Sequence, residues 1–291
     1  MSGEFGDLPT GVIAQPDPVI LPRADRLFAT RASRLRHLSE GHPMADWLRF
    51  MAGLADAQHD AVAAVVAPAV AILPHTPPLD GPAHPRDPSW RRALARILVE
   101  PADPALPDQT RQVMAALRDR DPEPLAAAWL AGVVPATEAG PAMFVAAALQ
   151  VYFAAVAATL PVGDIALLAQ RGLCPVCGSA PVAGVITGAG KAPGTRYLHC
   201  GLCATAWNHV RVACIGCGES KSLTLQEIEG GNGAVMAETC DACMGYAKML
   251  YQAKDMQVDP MADDLASLGL DILVGEAGWS RLAANPLVLA G

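Results

Sequence analysis

Apolar residues recur at helical spacing through most of the first half of the chain, and alternating or short apolar runs broken by glycine take over after about residue 171. Residues 22–38 place Leu27, Phe28, Leu35 and Leu38 among Arg23, Arg26, Arg31, Arg34 and Arg36. This predicts an amphipathic helix with one positive face, read as solvated, with an acidic partner surface as the alternative. Residues 43–66 read as a second helix, with Pro43 in its first turn and Trp47, Leu48, Met51, Leu54 and Ala55 toward a core. Shorter helices are predicted at about 90–99, 108–117 and 124–131. Between them, residues 73–88 are too rich in proline for helix or sheet and carry His75 and His84. They are expected to form a mobile surface arm or a contact site. Residues 141–162 are apolar apart from Gln150 and Thr159 as clearly polar members. That length would span a bilayer, but the alanine content and the missing basic flank favour a buried central helix.

Strand signals follow a turn at 161–164 and Arg171-Gly172. Residues 181–187 and 195–199 flank one glycine-rich loop, and 223–229 and 235–239 flank Gly230-Gly231-Asn232-Gly233, a strong hairpin turn. Residues 207–213 alternate and read as a connecting strand. Near the end, Asp259-Pro260 looks like a helix start, Asp263 and Asp264 suit its dipole, and Leu265, Leu268 and Ile272 form its apolar face. The predicted class is α+β: a flexible tail (1–20), an all-α domain (21–170), a metal-ribbon domain (171–255), and a C-terminal helix and tail (256–291).

Cysteine spacing supplies the chemistry. All eight cysteines fall into four Cys-x-x-Cys pairs: Cys174/Cys177, Cys200/Cys203, Cys214/Cys217 and Cys240/Cys243. The last two pairs repeat the first two at an offset of 40 residues, which also carries Gly178 onto Gly218 and Gly190 onto Gly230. Two such pairs about twenty residues apart are the pattern of a four-thiolate metal site, because the two-residue gap brings both sulfurs to one ion at about 2.3 Å. The reading is two mononuclear tetrahedral sites within rubredoxin-like or zinc-ribbon-like modules. Disulfides, thiol–disulfide exchange, an iron–sulfur cluster and a crossed pairing between repeats are the weaker alternatives. Four sulfurs suit zinc or a single iron equally. Cys174-Pro-Val-Cys177-Gly178 has the form of a rubredoxin knuckle, whereas Ala204 and Met244 stand where glycine is usual. His199 and His209 are secondary candidates as ligands.

Of the 291 residues 52% are hydrophobic and 17% charged, so the chain can bury substantial cores. A net charge of −8 and a pI near 5.3 argue against a nucleic-acid-binding role. Residues 1–19 lack the basic and apolar regions of a signal peptide, which implies a cytoplasmic protein with reduced thiols. No Ser-His-Asp pattern, phosphate-binding glycine loop or isolated nucleophilic cysteine is present, so a non-enzymatic role is expected.

Particular motifs narrow this further. Arg196-Tyr197-Leu198-His199-Cys200-Gly201-Leu202-Cys203, with Trp207 and Val210-Arg211-Val212, resembles the formate dehydrogenase accessory protein family, the FdhE type. Leu250-Tyr251-Gln252-Ala253-Lys254-Asp255 and Ala262-Asp263-Asp264-Leu265-Ala266-Ser267-Leu268 are similar to its C-terminal signature. Phe28, Arg31-Ala32, Arg34-Leu35, Asp46-Trp47-Leu48-Arg49-Phe50 and Gln58 are similar to its N-terminal pattern. The resemblance implies a cytoplasmic maturation factor for the catalytic subunit of a respiratory molybdenum formate dehydrogenase. It also implies rubredoxin-type iron at the eight cysteines, with zinc left open. A rubredoxin-like electron-transfer component is the alternative function. No nucleic-acid partner and no membrane insertion are expected, and a homodimer is left open.

Overall fold

A computed structural model describes residues 15–99 and 106–288. Its helices are α1 (Ala24–Ser39), α2 (Ala45–Ala61), α3 (Ser89–Ile97), α4 (Asp108–Arg118), α5 (Glu123–Leu130) and α6 (Ala139–Ala157), followed late in the chain by α7 (Ala262–Ala266) and α8 (Leu268–Glu276). Its strands are β1 (Val19–Ile20), β2 (Pro181–Ile186), β3 (Arg196–Cys200), β4 (Ala206–His209), β5 (Leu223–Gln226), β6 (Val235–Cys240), β7 (Gly245–Tyr251) and β8 (Ser280–Arg281). The class is α+β, as the change in periodicity predicts.

The long apolar run is a buried central helix. In α6, Val145, Leu149, Val151, Tyr152 and Phe153 are all 0% exposed, with α2, α3, α4 and α5 packed around it. A helix apolar on every side needs such a cover in water.

The two ribbons share one sheet, ordered β1-β4-β3-β2-β7-β6-β5, with β8 also paired to β7. The β3–β4 and β6–β7 pairs have the same register at the 40-residue offset: His199 faces Ala206 as Thr239 faces Tyr246. The repeats join where β2 and β7 run parallel, Gly184 opposite Met249. A Cβ on Gly184 would lie 2.6 Å from Met249 Sδ, so glycine here makes room for the Met249 side chain at the seam.

Several expectations are corrected. The expected tail contains β1, whose Val19 and Ile20 pair with Trp207 and Ala206; residues 1–14 lie outside the described residues. The connecting strand stops at His209, and Val210 and Val212 stand 62% and 64% exposed where the chain turns toward the next knuckle. The C-terminal helix is two short helices meeting at Ser267. Leu270 and Val274 bury the second one's apolar side, while Ile272 is 62% exposed.

Of the arginines expected to form a positive face on α1, Arg31 and Arg34 are buried, while Arg23, Arg26 and Arg36 are exposed. Arg34 pairs with Asp263 at 2.6 Å and Asp255 at 2.7 Å, and Arg31 lies 3.6 Å from Asp259. The acidic partner is thus the chain's own segment just ahead of and within α7, and Asp263 is buried rather than serving a solvated helix end. Asp264 is also buried, beside Lys248 Nζ at 3.2 Å and paired with Arg281. Lys248 Nζ further reaches Asp271 at 2.7 Å and donates to the Asp264 and Ser267 carbonyls. Two cations and two carboxylates in that pocket leave no net charge, which is what makes their burial tolerable.

Candidate metal centres

Each repeat gathers its own four cysteines. Cys174, Cys177, Cys200 and Cys203 form one group and Cys214, Cys217, Cys240 and Cys243 the other, with all sulfurs of a group within 4.8 Å of one another. No pairing crosses between repeats. Neither His199 nor His209 joins a group. Burial pushes the His199 imidazole down to about 4, and His209 Nδ1 contacts the Val210 carbonyl at 3.0 Å.

Matched turns present the thiols. In the first knuckle of each repeat, Gly178 N–H donates to Cys174 O at 2.9 Å and Gly218 N–H to Cys214 O at 3.0 Å. The residue after each pair takes a left-handed backbone: Gly178 (φ 75°), Ala204 (φ 58°), Gly218 (φ 78°) and Met244 (φ 54°). Ala204 and Met244 therefore occupy the glycine conformation without being glycine, because the turn that aims the sulfurs demands it. Leu202 and Cys203 N–H groups point at Cys200 Sγ from 3.3 and 3.4 Å.

The sulfur spacing fits a tetrahedral ion. Metal–sulfur bonds of about 2.3 Å imply S–S edges of about 3.8 Å. The second group shows 3.8 Å between Cys214 and Cys243 and 3.7 Å between Cys217 and Cys240. The first is tighter, at 3.5 Å for Cys174–Cys203 and 3.3 Å for Cys177–Cys200. All eight thiols are free, far beyond disulfide bonding distance.

Acidity differs within each group. Burial pushes Cys174 and Cys203 well above the ordinary thiol range; at Cys177 burial acts the same way, but contacts with the other three sulfurs and Ser179 Oγ outweigh it and bring that thiol down. In the second group burial pushes Cys214 up to about 12 and raises Cys243, while the Glu219 N–H lowers Cys217. In each group one thiol is lowered and two are raised, and four thiolates held this close repel one another, so a tetrad reaches its full charge only with a cation present. The donor set and spacing thus fit one soft or borderline divalent ion per group.

Sequence reasoning missed the supports of the first group. Leu79 N–H donates to Val176 O at 2.8 Å and Gly81 N–H to Cys177 O at 3.1 Å, so the proline-rich segment closes over this knuckle instead of waving as an arm. Gln58 Nε2 donates to Gln150 Oε1 at 2.9 Å, and Gln150 Nε2 to the Gly201 carbonyl at 2.7 Å. This buried relay runs from α2 through α6 into the second knuckle. Two glutamines on otherwise apolar helix faces were the available signal.

A helical layer sealed onto one sheet bearing two four-cysteine centres defines a two-centre metal-ribbon protein. The chain matches the family models FdhE, N-terminal (residues 16–169), FdhE, central domain (173–211) and FdhE, C-terminal domain (212–288). It is 42% identical to a protein FdhE homolog of Edwardsiella ictaluri (strain 93-146), covering 97% of this chain and 94% of that one. It is 36% identical to protein FdhE of Escherichia coli O9:H4 (strain HS), covering 94% and 92%. The crystal structure of the FdhE protein from Pseudomonas aeruginosa superposes with a TM-score of 0.80 at 35% identity, covering 94% of this chain and 99% of that one. The chain belongs to the FdhE family.

Proposed function

We propose that the protein is a cytoplasmic maturation factor that binds the catalytic subunit of a respiratory molybdenum formate dehydrogenase and is needed for its active form. The observation that carries this reading is the match to all three FdhE family models, in order, over residues 16–288. Two further features support it: both cysteine tetrads sit on one sheet, and the helices share one apolar core with that sheet. The eight cysteines are proposed as ligands of two ions, iron by resemblance with zinc as the alternative. The protein acts by binding, not by catalysis.

The test is co-purification of the tagged chain with that subunit, alongside formate dehydrogenase activity in a strain lacking the protein. Co-purification together with restored activity is expected. Restored activity without any co-purification would sink the binding role. The second reading, an electron-transfer component, is favoured by the exposure of Cys217 and Cys243, which shortens the path from an ion to solvent. Reversible bleaching of a thiolate-to-iron band by reductant would support it, and a colourless zinc protein would exclude it.

A further inference from the structure

The two tetrads are copies in sequence but not in surroundings. In the first, Cys174, Cys177, Cys200 and Cys203 are 0%, 1%, 2% and 0% exposed and belong to the core shared with the helices. The proline-rich segment covers its first knuckle and the Gln150 amide pins its second. In the second, Cys214 and Cys240 are buried at 3% and 0%, but Cys217 and Cys243 are exposed. The chain's late segment hydrogen-bonds to this tetrad's second knuckle, where Ser280 N–H donates to Met244 O at 2.8 Å and Trp279 Nε1 to Asp241 Oδ1 at 3.1 Å, and it leaves Cys217 and Cys243 exposed. The tetrad's visible cover is Leu282, packed where a Cβ on Gly216 or Gly245 would lie 2.8 or 2.6 Å from its side chain, and itself 37% exposed. Met244, directly after Cys243, is 45% exposed and carries a thioether side chain.

We propose that the second centre is an exchange site, at which Cys217 and Cys243 yield their ion to a thiolate-bearing acceptor, while the first centre keeps its ion as a structural element. A thiolate needs a line of approach, and only the Cys217–Cys243 edge offers one. Each acceptor thiolate that binds replaces one departing cysteine sulfur, so one metal–sulfur bond forms for each that breaks. The released sulfur takes a proton from solvent, the ion keeps its charge, and no electron is transferred. Cys214 and Cys240 hold the ion until the last step, because their burial keeps competitors out. Met244 gives the approach a soft, apolar rim suited to a sulfur donor.

The test uses the full chain loaded with two zinc ions and no partner protein, so its outcome is independent of formate dehydrogenase binding. The protein is challenged with dimercaptosuccinate, zinc is followed by native mass spectrometry of the intact chain, and aliquots taken over time are pulsed with excess iodoacetamide so that alkylation can be mapped on peptides. One zinc should leave about ten-fold or more faster than the other, with label arriving first at Cys217 and Cys243 and the first tetrad unlabelled in the one-zinc species. Release of both ions in one phase, or first labelling in the Cys174–Cys203 group, would overturn the proposal. Leu79→Ala, which thins the cover of the first centre, should accelerate only the slow phase; acceleration of the fast phase would contradict the assignment.

Discussion

At the scale of single residues, Ala204 and Met244, like His75 in the proline-rich segment, hold a left-handed backbone without being glycine. A left-handed backbone costs a residue with a Cβ about 1–2 kcal/mol, and glycine gives back about 0.4–1 kcal/mol through the unfolded chain. Ala204→Gly and Met244→Gly should therefore stabilise the metal-loaded protein by roughly 0.5–1 kcal/mol, read as a higher urea midpoint. Gly178→Ala should lose about 1 kcal/mol or slightly more, since the added Cβ meets only Pro77 at 3.5 Å and the cost is the backbone's. The buried ions should behave differently. Asp264→Leu strands Lys248 and Arg281 around one remaining carboxylate and should cost about 3–5 kcal/mol in equilibrium unfolding. The knuckle turns were legible because Cys-x-x-Cys-Gly is a local signal. The partners of Lys248 were not, because nothing near a lysine in a strand says which distant carboxylates will meet it.

At the scale of elements, the proline-rich segment couples the helical layer to the first centre. His84 Nε2 lies 3.1 Å from Tyr152 Oη on α6, and burial, with Arg86 adding to it, lowers the His84 imidazole below its ordinary 6.5. A depressed imidazole favours the docked segment above pH 6.5, and that stability is lost as the pH falls from there through the lowered value. The Leu79 and Gly81 amides should thus exchange with solvent progressively faster below pH 6.5, after correction for intrinsic rates, and His84→Gln should remove the dependence. A flat, corrected profile in the parent protein would show that His84 does not control docking. The composition of this segment excluded helix and sheet correctly, but its placement depends on hydrogen bonds to Val176 and Cys177, about a hundred residues away.

For the whole molecule, the decisive fact is that Cys174, Cys177, Cys200 and Cys203 lie in the same apolar core as α6. Small ribbons alone depend on their metal for folding. The shared core is expected to extend that dependence to the helical layer for the first centre and much less for the second. Cys174→Ser with Cys177→Ser should lower the melting of the helical signal in far-UV circular dichroism and expose α6 amides. Cys214→Ser with Cys217→Ser should leave the α6 amides protected. Equal protection of α6 in both variants would mean that the helices fold without the first centre.

The sequence by itself determined the helix-to-strand order, the apolar central helix, the eight-cysteine duplication and the family, since each is written in local spacing or short motifs. Only the tertiary structure decided that β2 and β7 fuse the repeats into one sheet, that Arg31 and Arg34 face Asp259, Asp255 and Asp263, and that one tetrad is sealed while the other meets solvent. The reason is physical. Periodicity and ligand spacing act within a few residues, whereas the β2–β7 seam and the carboxylate partners of Arg31 and Arg34 join segments more than 60 residues apart in sequence, up to the 229 separating Arg34 from Asp263.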